Sequence, residues 1–309
     1  MNTQRQSREQ LWGYLAAAGT VAIWTGFILI SRMGGKTALT AYDLLALRLG
    51  TASLLLLPFL KGVPYGAWRD RRLWTLALLG GVAYGVLVYA GFKLAPAAHA
   101  AILLPGMQPF LVAGVAFLLS GERPTPARWW GLLAIAAGVI CVAVPYTGGG
   151  WSAALLFGDL LIFVASIVWA SYSVLAKRWH YSPWLLTRFV ALGSALVYLP
   201  VYLLFLPKQL AAVPLSTLLL QGLYQGIGPT ILAMLLFLKA VSILGPVRVG
   251  ALIALVPVLA GVAAAPLLNE PLTVWLLGGL VCVSMGALIA SRPGRIPVRV
   301  EATASHLQR

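Results

Sequence analysis

The chain has 309 residues, of which 61% are hydrophobic and only 9% are charged. Soluble domains carry roughly 25% charged residues, so this composition excludes a soluble globular protein and predicts an all-α integral membrane protein. The formal net charge of +15 does not indicate a nucleic-acid-binding protein, because the basic residues follow a membrane-topology pattern instead of forming a patch.

Ten apolar segments follow one another along the chain, and each is close to the roughly 20 residues that a helix needs to cross a bilayer. They are residues 11–31, 41–60, 73–92, 98–119, 128–146, 153–176, 184–206, 215–238, 246–267 and 272–291. The first segment has polar residues before it and no small-residue cleavage site, so we expect it to remain in the membrane as a span. Ten transmembrane helices are therefore predicted.

The distribution of Lys and Arg predicts the orientation of these spans. If the N-terminus lies inside, 16 of the 22 basic side chains are on the inner side, four are on the outer side, and Arg48 and Arg188 lie within spans. Such a bias is the positive-inside pattern. It predicts a multi-pass protein of the inner, cytoplasmic membrane of a bacterial-type cell. Residues 1–10 and the basic residues 292–309 are predicted as cytoplasmic tails.

The second half of the chain repeats the first. Ten residues of the first half are found again, unchanged, 148 positions later in the chain. Pro109 and Pro257 are one such pair. The first members of these pairs are Leu104, Pro109, Leu111, Ala116, Leu119, Glu122, Thr125, Gly131, Leu132 and Gly138. Internal duplication is the usual construction of a secondary transporter, with the substrate site between the copies near the bilayer midplane.

The repeat divides the chain into two halves of five spans each. The first copy is predicted over residues 11–147 and the second over residues 153–291, with a linker at residues 148–152. Because five is an odd number, the second copy must enter the membrane from the opposite side. The fold predicted is therefore a pair of inverted five-helix repeats.

Proline and glycine residues predict breaks in the spans near this symmetric centre. Pro109 and Pro257 occupy equal positions in spans four and nine, and Gly226, Gly228 and Pro229 lie together in span eight. Proline removes a backbone hydrogen bond and bends a helix. Irregular backbone at membrane depth is tolerated inside protein or beside a cavity, so these residues favour a central cavity. The alternative is that they only allow close helix packing.

Polar side chains inside the spans are the candidates for substrate binding and proton coupling. The substrate-binding candidates are Tyr84, His99, Gln108, Tyr224 and Gln225, since small ligands are usually held in apolar pockets with a few placed polar groups. The candidates for proton coupling are Asp43, Asp159 and His99, since charges at membrane depth are costly and histidine titrates near neutral pH. Purely structural roles are the alternative for all of them.

Glu122 and Glu270 end their spans and precede the helices that begin near Arg128 and Leu272. A carboxylate there complements the positive N-terminal end of the next helix, so a structural role is predicted for both. Inversion places them on opposite faces of the membrane, which excludes a catalytic pair.

Motifs of enzymes and of cofactor sites are missing from the sequence. There is no HExxH, GxSxG, Walker A or CxxC motif, and Cys141 and Cys282 have no metal-ligand spacing. We therefore expect no enzyme activity, cofactor or metal site. Without an ATP-binding site, any pumping would have to use a gradient of substrate or of an ion, with protons as the candidate ion.

Several of these features together resemble the EamA-like family of the drug/metabolite transporter superfamily. The two proline–glutamate–glycine repeats carry the resemblance, with Gly158-Asp159-Leu160-Leu161 leading to Trp169 and with Trp24, Gly26 and Arg48 in the first half. The resemblance extends from Leu11 to Ser291, and the second copy departs from the family pattern where Asn269 precedes its glutamate.

This resemblance implies two inverted five-helix repeats around a cavity walled mainly by spans three, four, eight and nine. It also implies secondary transport of amino acids, other metabolites or drugs, often outward. We therefore expect a permease or exporter whose partners are a small-molecule substrate and membrane lipid. The cavity lacks an obvious charge cluster, which favours a neutral, zwitterionic or amphipathic substrate. A flippase for a lipid or a polyprenyl-linked substrate is the alternative.

Overall fold

The computed structural model describes residues 2–121, 126–144 and 152–290, and almost all of them are helical with no β-strand among them. Ten helical segments in these ranges coincide with the ten apolar segments of the sequence. They are α1 (Asn2–Gly35), α2 (Ala41–Gly62), α3 (Arg71–Leu94), α4 (Ala97–Gly106 and Gln108–Ser120), α5 (Pro126–Ala143), α6 (Ala153–Arg178), α7 (Pro183–Phe205), α8 (Leu215–Leu244), α9 (Pro246–Ile253 and Val256–Leu268) and α10 (Val274–Ala290).

Seven of the described helices are long and apolar enough to cross a membrane, namely α1, α2, α3, α6, α7, α8 and α9. The bent pair that forms α4 makes an eighth if it is one span. The apolar parts of α5 and α10, Trp129–Cys141 and Val274–Ala290, are shorter. These helices confirm the prediction of an all-α membrane protein. Glu122, residues 148–151 of the linker and the tail 292–309 lie outside the described residues.

The ends of the helices gather at two faces of the bundle. The near face is the one where α1 begins; there Arg178 at the end of α6 donates to Leu119 O at the end of α4 (3.0 Å). The far face is the one where α1 ends; there Arg32 donates to Phe92 O at the end of α3 (2.7 Å). Helix ends are thus joined by hydrogen bonds within each face, and consecutive long helices run in opposite directions between the two faces.

Wide helical turns interrupt three of the long segments at mid-length. They cover Leu78–Ala83 in α3, Ile102–Gly106 in α4 and Gly228–Leu232 in α8. Such π-type turns widen the ring of each backbone hydrogen bond and often occur at functional sites. The turn in α8 contains Pro229 and follows Gly226, where the sequence predicts a break.

The paired prolines lie immediately after breaks in α4 and α9. In α4 the axis bends by 40° between Gly106 and Gln108, and Pro109 is the second residue of the following helix. In α9 the helix stops at Ile253 and resumes at Val256, so Pro257 is again the second residue. Proline suits the first turn of a helix, whose N–H groups have no intrahelical partner. The bends therefore precede the prolines instead of centring on them.

Glycines allow α5 and α10 to approach each other closely. A Cβ atom built on Gly286 would lie 2.6 Å from Gly131 O, and one built on Gly131 would lie 2.6 Å from Gly286 O. Backbone atoms cannot move aside as a flexible side chain can, so only glycine fits at these positions. Close contact of small residues is a common basis of helix association in membranes.

We predict that Gly286→Val destabilises the protein by about 1–3 kcal/mol, because its side chain would overlap the backbone of α5. Gly278 is the matched control, since it is an exposed glycine on the same helix with no atom within 4 Å of a built Cβ. Gly278→Val should change stability by less than about 0.5 kcal/mol. Thermal unfolding of the purified variants in detergent measures both, and equal effects would contradict the proposed contact.

A hydrogen bond joins two loops at the near face. Tyr181, between α6 and α7, donates to the Asp70 carboxylate, which also accepts from the backbone N–H of Arg72 (2.9 Å) and so caps α3. The Tyr181 hydrogen bond, chiefly, lowers the pKa of Asp70. Burial and the same bond raise the pKa of Tyr181 to about 12. The bond therefore favours the ionised carboxylate.

We predict that Tyr181→Phe lowers the midpoint of thermal unfolding at neutral pH and that this loss shrinks in acid. Because the pKa of Asp70 is lowered on folding, its contribution is present above the ordinary value of about 3.9 and is lost as the pH falls through the folded pKa. Thermal unfolding scans from about pH 7 to pH 3 measure how the difference in midpoint between the wild type and Tyr181→Phe changes with pH. Tyr65→Phe is the control, because Tyr65 is exposed and its hydroxyl makes only a 3.5 Å contact with Arg69. A loss that persists unchanged in acid would contradict this account.

Candidate functional site

A cavity of about 300 Å³ lies at the centre of the bundle, beside the breaks in α4, α8 and α9. This volume is at the lower end of the roughly 300–1,000 Å³ that is usual for small-molecule pockets. Its walls come from both halves of the chain and are mostly apolar. They comprise Trp24, Phe27, Ile28, Arg48, Tyr84, Leu104, Pro105, Gln108, Val112, Trp169, Ser173, Pro229, Met234, Ile253 and Val256.

Aromatic rings form much of this wall. Tyr84 of α3 packs against Trp169 of α6 with ring centroids 4.9 Å apart, and Trp24 and Phe27 come from α1. Aromatic side chains provide large apolar surfaces that prefer tilted or offset contact with another ring. The cavity is thus suited to a flat, apolar group.

Trp24 and Trp169 were not among the predicted substrate-binding residues. The signal for them was present in the sequence, since each tryptophan is followed eight residues later by a basic residue, Arg32 and Lys177. The repeat therefore relates these tryptophans to each other, and the structure places both at the same cavity.

Arg48 is the cation in this apolar wall. Its Nε donates to Thr230 Oγ1 of α8 (3.1 Å), and its Cζ lies 5.6 Å from the centroid of the Phe27 ring. Its Nη1 is buried and makes no hydrogen bond of normal length, and the buried hydroxyl of Tyr89 lies beside the guanidinium. A charge at membrane depth costs about 2.5–3.5 kcal/mol on insertion scales, so the position of Arg48 requires a reason.

Two of the five predicted substrate-binding residues, Tyr84 and Gln108, line the cavity. Gln108 also donates from Nε2 to Ser166 O of α6 (3.2 Å). Tyr224 and Gln225 lie behind the wall and connect α8 to α1. Tyr224 donates to Ile23 O and Gln225 donates to Ser31 Oγ, both at 3.0 Å.

His99, the fifth predicted residue, is buried outside the cavity wall and lies beside Asp159. Its Nδ1 is 3.0 Å from Asp159 Oδ2, which joins the start of α4 to α6. Two of the three proton-coupling candidates are therefore in direct contact.

Asp43, the third candidate for proton coupling, is buried at the far face, where its carboxylate accepts hydrogen bonds from several donors. Its carboxylate accepts from the backbone N–H of Thr40, from the Tyr202 hydroxyl (2.6 Å) and from the backbone N–H of Gln209 (3.1 Å). It forms a capping box with Thr40 at the start of α2. These contacts fix α2 to α7 and to the loop that follows α7.

Glu270 is bound to a different helix from the one the sequence predicts. It was expected to complement the start of α10, but its Oε2 accepts from the backbone N–H of Ala97 at the start of α4 (2.7 Å). Its Oε1 accepts from Arg32 Nε at 2.8 Å. The start of α10 is capped by Thr273, whose Oγ1 accepts from the N–H of Leu276. Glu270 therefore connects α1, α4 and the loop after α9.

These far-face contacts hold the ends of α1, α4 and α9 together. We call the ion pair of Arg32 and Glu270 with its bond to Ala97 the far-face latch. Lys36 adds a hydrogen bond to Leu268 O. Below the latch, Ala101 of α4 and Ala260 of α9 are fully buried. The far-face parts of these helices are thus packed against one another in the core.

The fold defines a multi-pass membrane protein with a cavity that residues from both halves of the chain line. The family model of the EamA-like transporter family matches residues 11–144 and 156–292. The chain therefore belongs to the EamA-like transporter family. This membership points to a transporter and not to an enzyme.

Two curated relatives are about a quarter identical to this chain over the residues that align. The aromatic amino acid exporter YddG of Ancylobacter novellus is 26% identical over 211 residues, which cover 68% of this chain and 72% of that protein. The uncharacterized transporter YyaM of Bacillus subtilis is 26% identical over 270 residues, 82% of this chain and 85% of that one. A crystal structure of another protein, 22% identical, matches 92% of this chain with a TM-score of 0.61, which shows the same fold.

We predict that Glu270→Gln opens the far face, because it removes the charge that binds Arg32. In a chain without Cys141 and Cys282, a cysteine probe at Ala101 should then react faster with a membrane-impermeant maleimide. The rate should rise about tenfold for each 1.4 kcal/mol that the latch contributes. Asp70→Asn, which removes a carboxylate at the near face, is the control and should leave this rate unchanged. Equal labelling rates in the protein with neither change, in Glu270→Gln and in Asp70→Asn would contradict the proposed role of the latch.

Proposed function

We propose that this protein is a secondary transporter that carries a small metabolite across the membrane by alternating access through the central cavity. In this proposal all ten helical segments are spans, arranged as two inverted five-helix repeats. The directions of α1 and α6 support the inversion. Arg32 near the end of α1 lies at the far face, whereas Asp159 near the start of α6 lies there beside His99.

We assign the near face to the cytoplasm and the protein to the inner membrane. The bias of basic residues supports this, since both termini and the Arg-rich loops belong to that side. In this proposal the far-face latch shuts the cavity from the outside, so the cavity receives substrate from the cytoplasm. Export is therefore the direction that we propose.

The substrate we propose is an amino acid or a metabolite of similar size with an apolar or aromatic part. The aromatic wall supports this choice, as does the name of YddG, which describes an aromatic amino acid exporter. A volume of about 300 Å³ suits a small solute better than a long lipid or polyprenyl chain. This favours the transporter of small solutes over the flippase.

Proton coupling through the pair of His99 and Asp159 completes the proposal. The pair joins α4 to α6 on the far side of the cavity, so its protonation state would affect the packing of a broken helix that lines the cavity. Protons are thus the ion that we propose for coupling.

The single observation that carries the proposal is a cavity with an aromatic wall that residues from both halves of the chain line. Its test is solute flux into proteoliposomes that contain the purified protein, across a panel of amino acids, with and without a pH gradient. Saturable flux of one class is expected, with accumulation only in the presence of the gradient. Lack of flux for every solute with folded protein would contradict the proposed function.

We predict that Trp169→Leu lowers kcat/KM for an aromatic substrate up to about tenfold, because an aromatic contact contributes roughly 0.5–1.5 kcal/mol beyond its buried area. Trp275→Leu is the matched control, since Trp275 is a half-exposed tryptophan on α10 outside the cavity wall. It should leave flux unchanged. Size-exclusion profiles of both variants establish that they are folded, and equal flux from both would remove Trp169 from the site.

A further inference from the structure

The guanidinium of Arg48 has donor capacity that its surroundings do not use. Arginine has five N–H donors, and in the described structure Nε donates to Thr230, the guanidinium lies over the ring of Phe27, and the buried hydroxyl of Tyr89 lies beside it. Nη1 is buried without an acceptor. All of these partners are neutral, so none of them balances the charge that Arg48 carries at the cavity wall.

The carboxylates of the described residues are used elsewhere. Asp43 bonds with Tyr202 and Asp159 with His99, while Glu270 pairs with Arg32 at the far face. Asp70 bonds with Tyr181 at the near face, and Glu9 belongs to the first turns of α1. None of these carboxylates lines the cavity. The positive charge of Arg48 therefore has no carboxylate beside it in the cavity wall.

Neutral groups and aromatic rings occupy the rest of the wall near Arg48. Trp24, Tyr84 and Trp169 give flat apolar surfaces, and Gln108 and Ser173 give the neutral polar groups. A cationic substrate would be repelled by Arg48 and would meet no anion. An anionic group would instead find a guanidinium whose charge the wall leaves unbalanced.

We propose that the substrate is an organic monocarboxylate with an aromatic or apolar body, and that its carboxylate binds to Arg48 while the body lies against the aromatic wall. An amino group on the substrate is not required, because no carboxylate of the wall would receive it. This proposal rests on the proposed function, since it names the substrate class of the same cavity. It excludes cationic drugs as substrates.

The first test compares four ligands that share one phenyl ring, namely 3-phenylpropionate, L-phenylalanine, 3-phenylpropionamide and 2-phenylethylamine. Binding to the purified protein in detergent is followed by the fluorescence of the tryptophans, two of which line the cavity. We expect 3-phenylpropionate to bind at least as tightly as L-phenylalanine and at least about tenfold tighter than the amide, with no binding of the amine. Amine binding as tight as that of the acid would overturn the proposal.

The second test changes Arg48. Arg48→Gln should abolish the preference for the acid over the amide, whereas Arg48→Lys should keep part of it because the charge remains. Arg188→Gln is the control, since Arg188 lies within α7 and contacts Trp184 and Phe59 O away from the cavity. The ratio of the two affinities is measured within one variant, so a general loss of stability does not imitate the result. An unchanged ratio in Arg48→Gln would overturn the proposal.

Flux measurements separate this proposal from the proposed function. Binding of 3-phenylpropionate that depends on Arg48, without flux in proteoliposomes, supports the carboxylate site and rejects the transporter. Flux of any solute without binding of a carboxylate at Arg48 rejects the site and leaves the transporter intact.

Discussion

The constraint on which the rest of this structure depends is that hydrocarbon offers no partner to a backbone N–H or C=O group. Breaks in a spanning helix can therefore exist only inside the protein or beside a cavity. The breaks in α3, α4, α8 and α9 all occur within the helices, and all four helices supply cavity residues directly beside their breaks. The interrupted backbone and the cavity are thus consequences of the same arrangement.

Charge follows the same constraint. The ion pair of Arg32 with Glu270 and the contact of His99 with Asp159 both lie toward the far face, where each joins α4 to another helix. Arg48 differs, because it lies in the cavity wall without a carboxylate beside it. The paired charges hold helix ends together at the far face, and we propose that Arg48 receives an anionic group of the substrate.

Much of this organisation could be predicted from the sequence, because hydropathy and the 148-residue repeat depend on local composition and on matched positions. The breaks beside Pro109, Pro229 and Pro257 were predicted in the correct helices for this reason. Individual contacts could not be predicted, because they depend on which helices meet. Glu270 caps α4 and not the helix that follows it, and Tyr224 faces α1 instead of the cavity. The matched tryptophans Trp24 and Trp169 carried a signal that residue polarity alone does not reveal.

The central claim is that one cavity opens alternately to the two faces, and distances between paired spin labels test it most directly. In a chain without native cysteines, one pair would join Leu118 of α4 to Arg248 of α9 at the near face. A second pair would join Leu94 of α3 to Val274 of α10 at the far face. Saturating substrate should add a population in which the near-face distance is shorter and the far-face distance is longer. Two distances that stay constant, or that change in the same direction, would contradict alternating access.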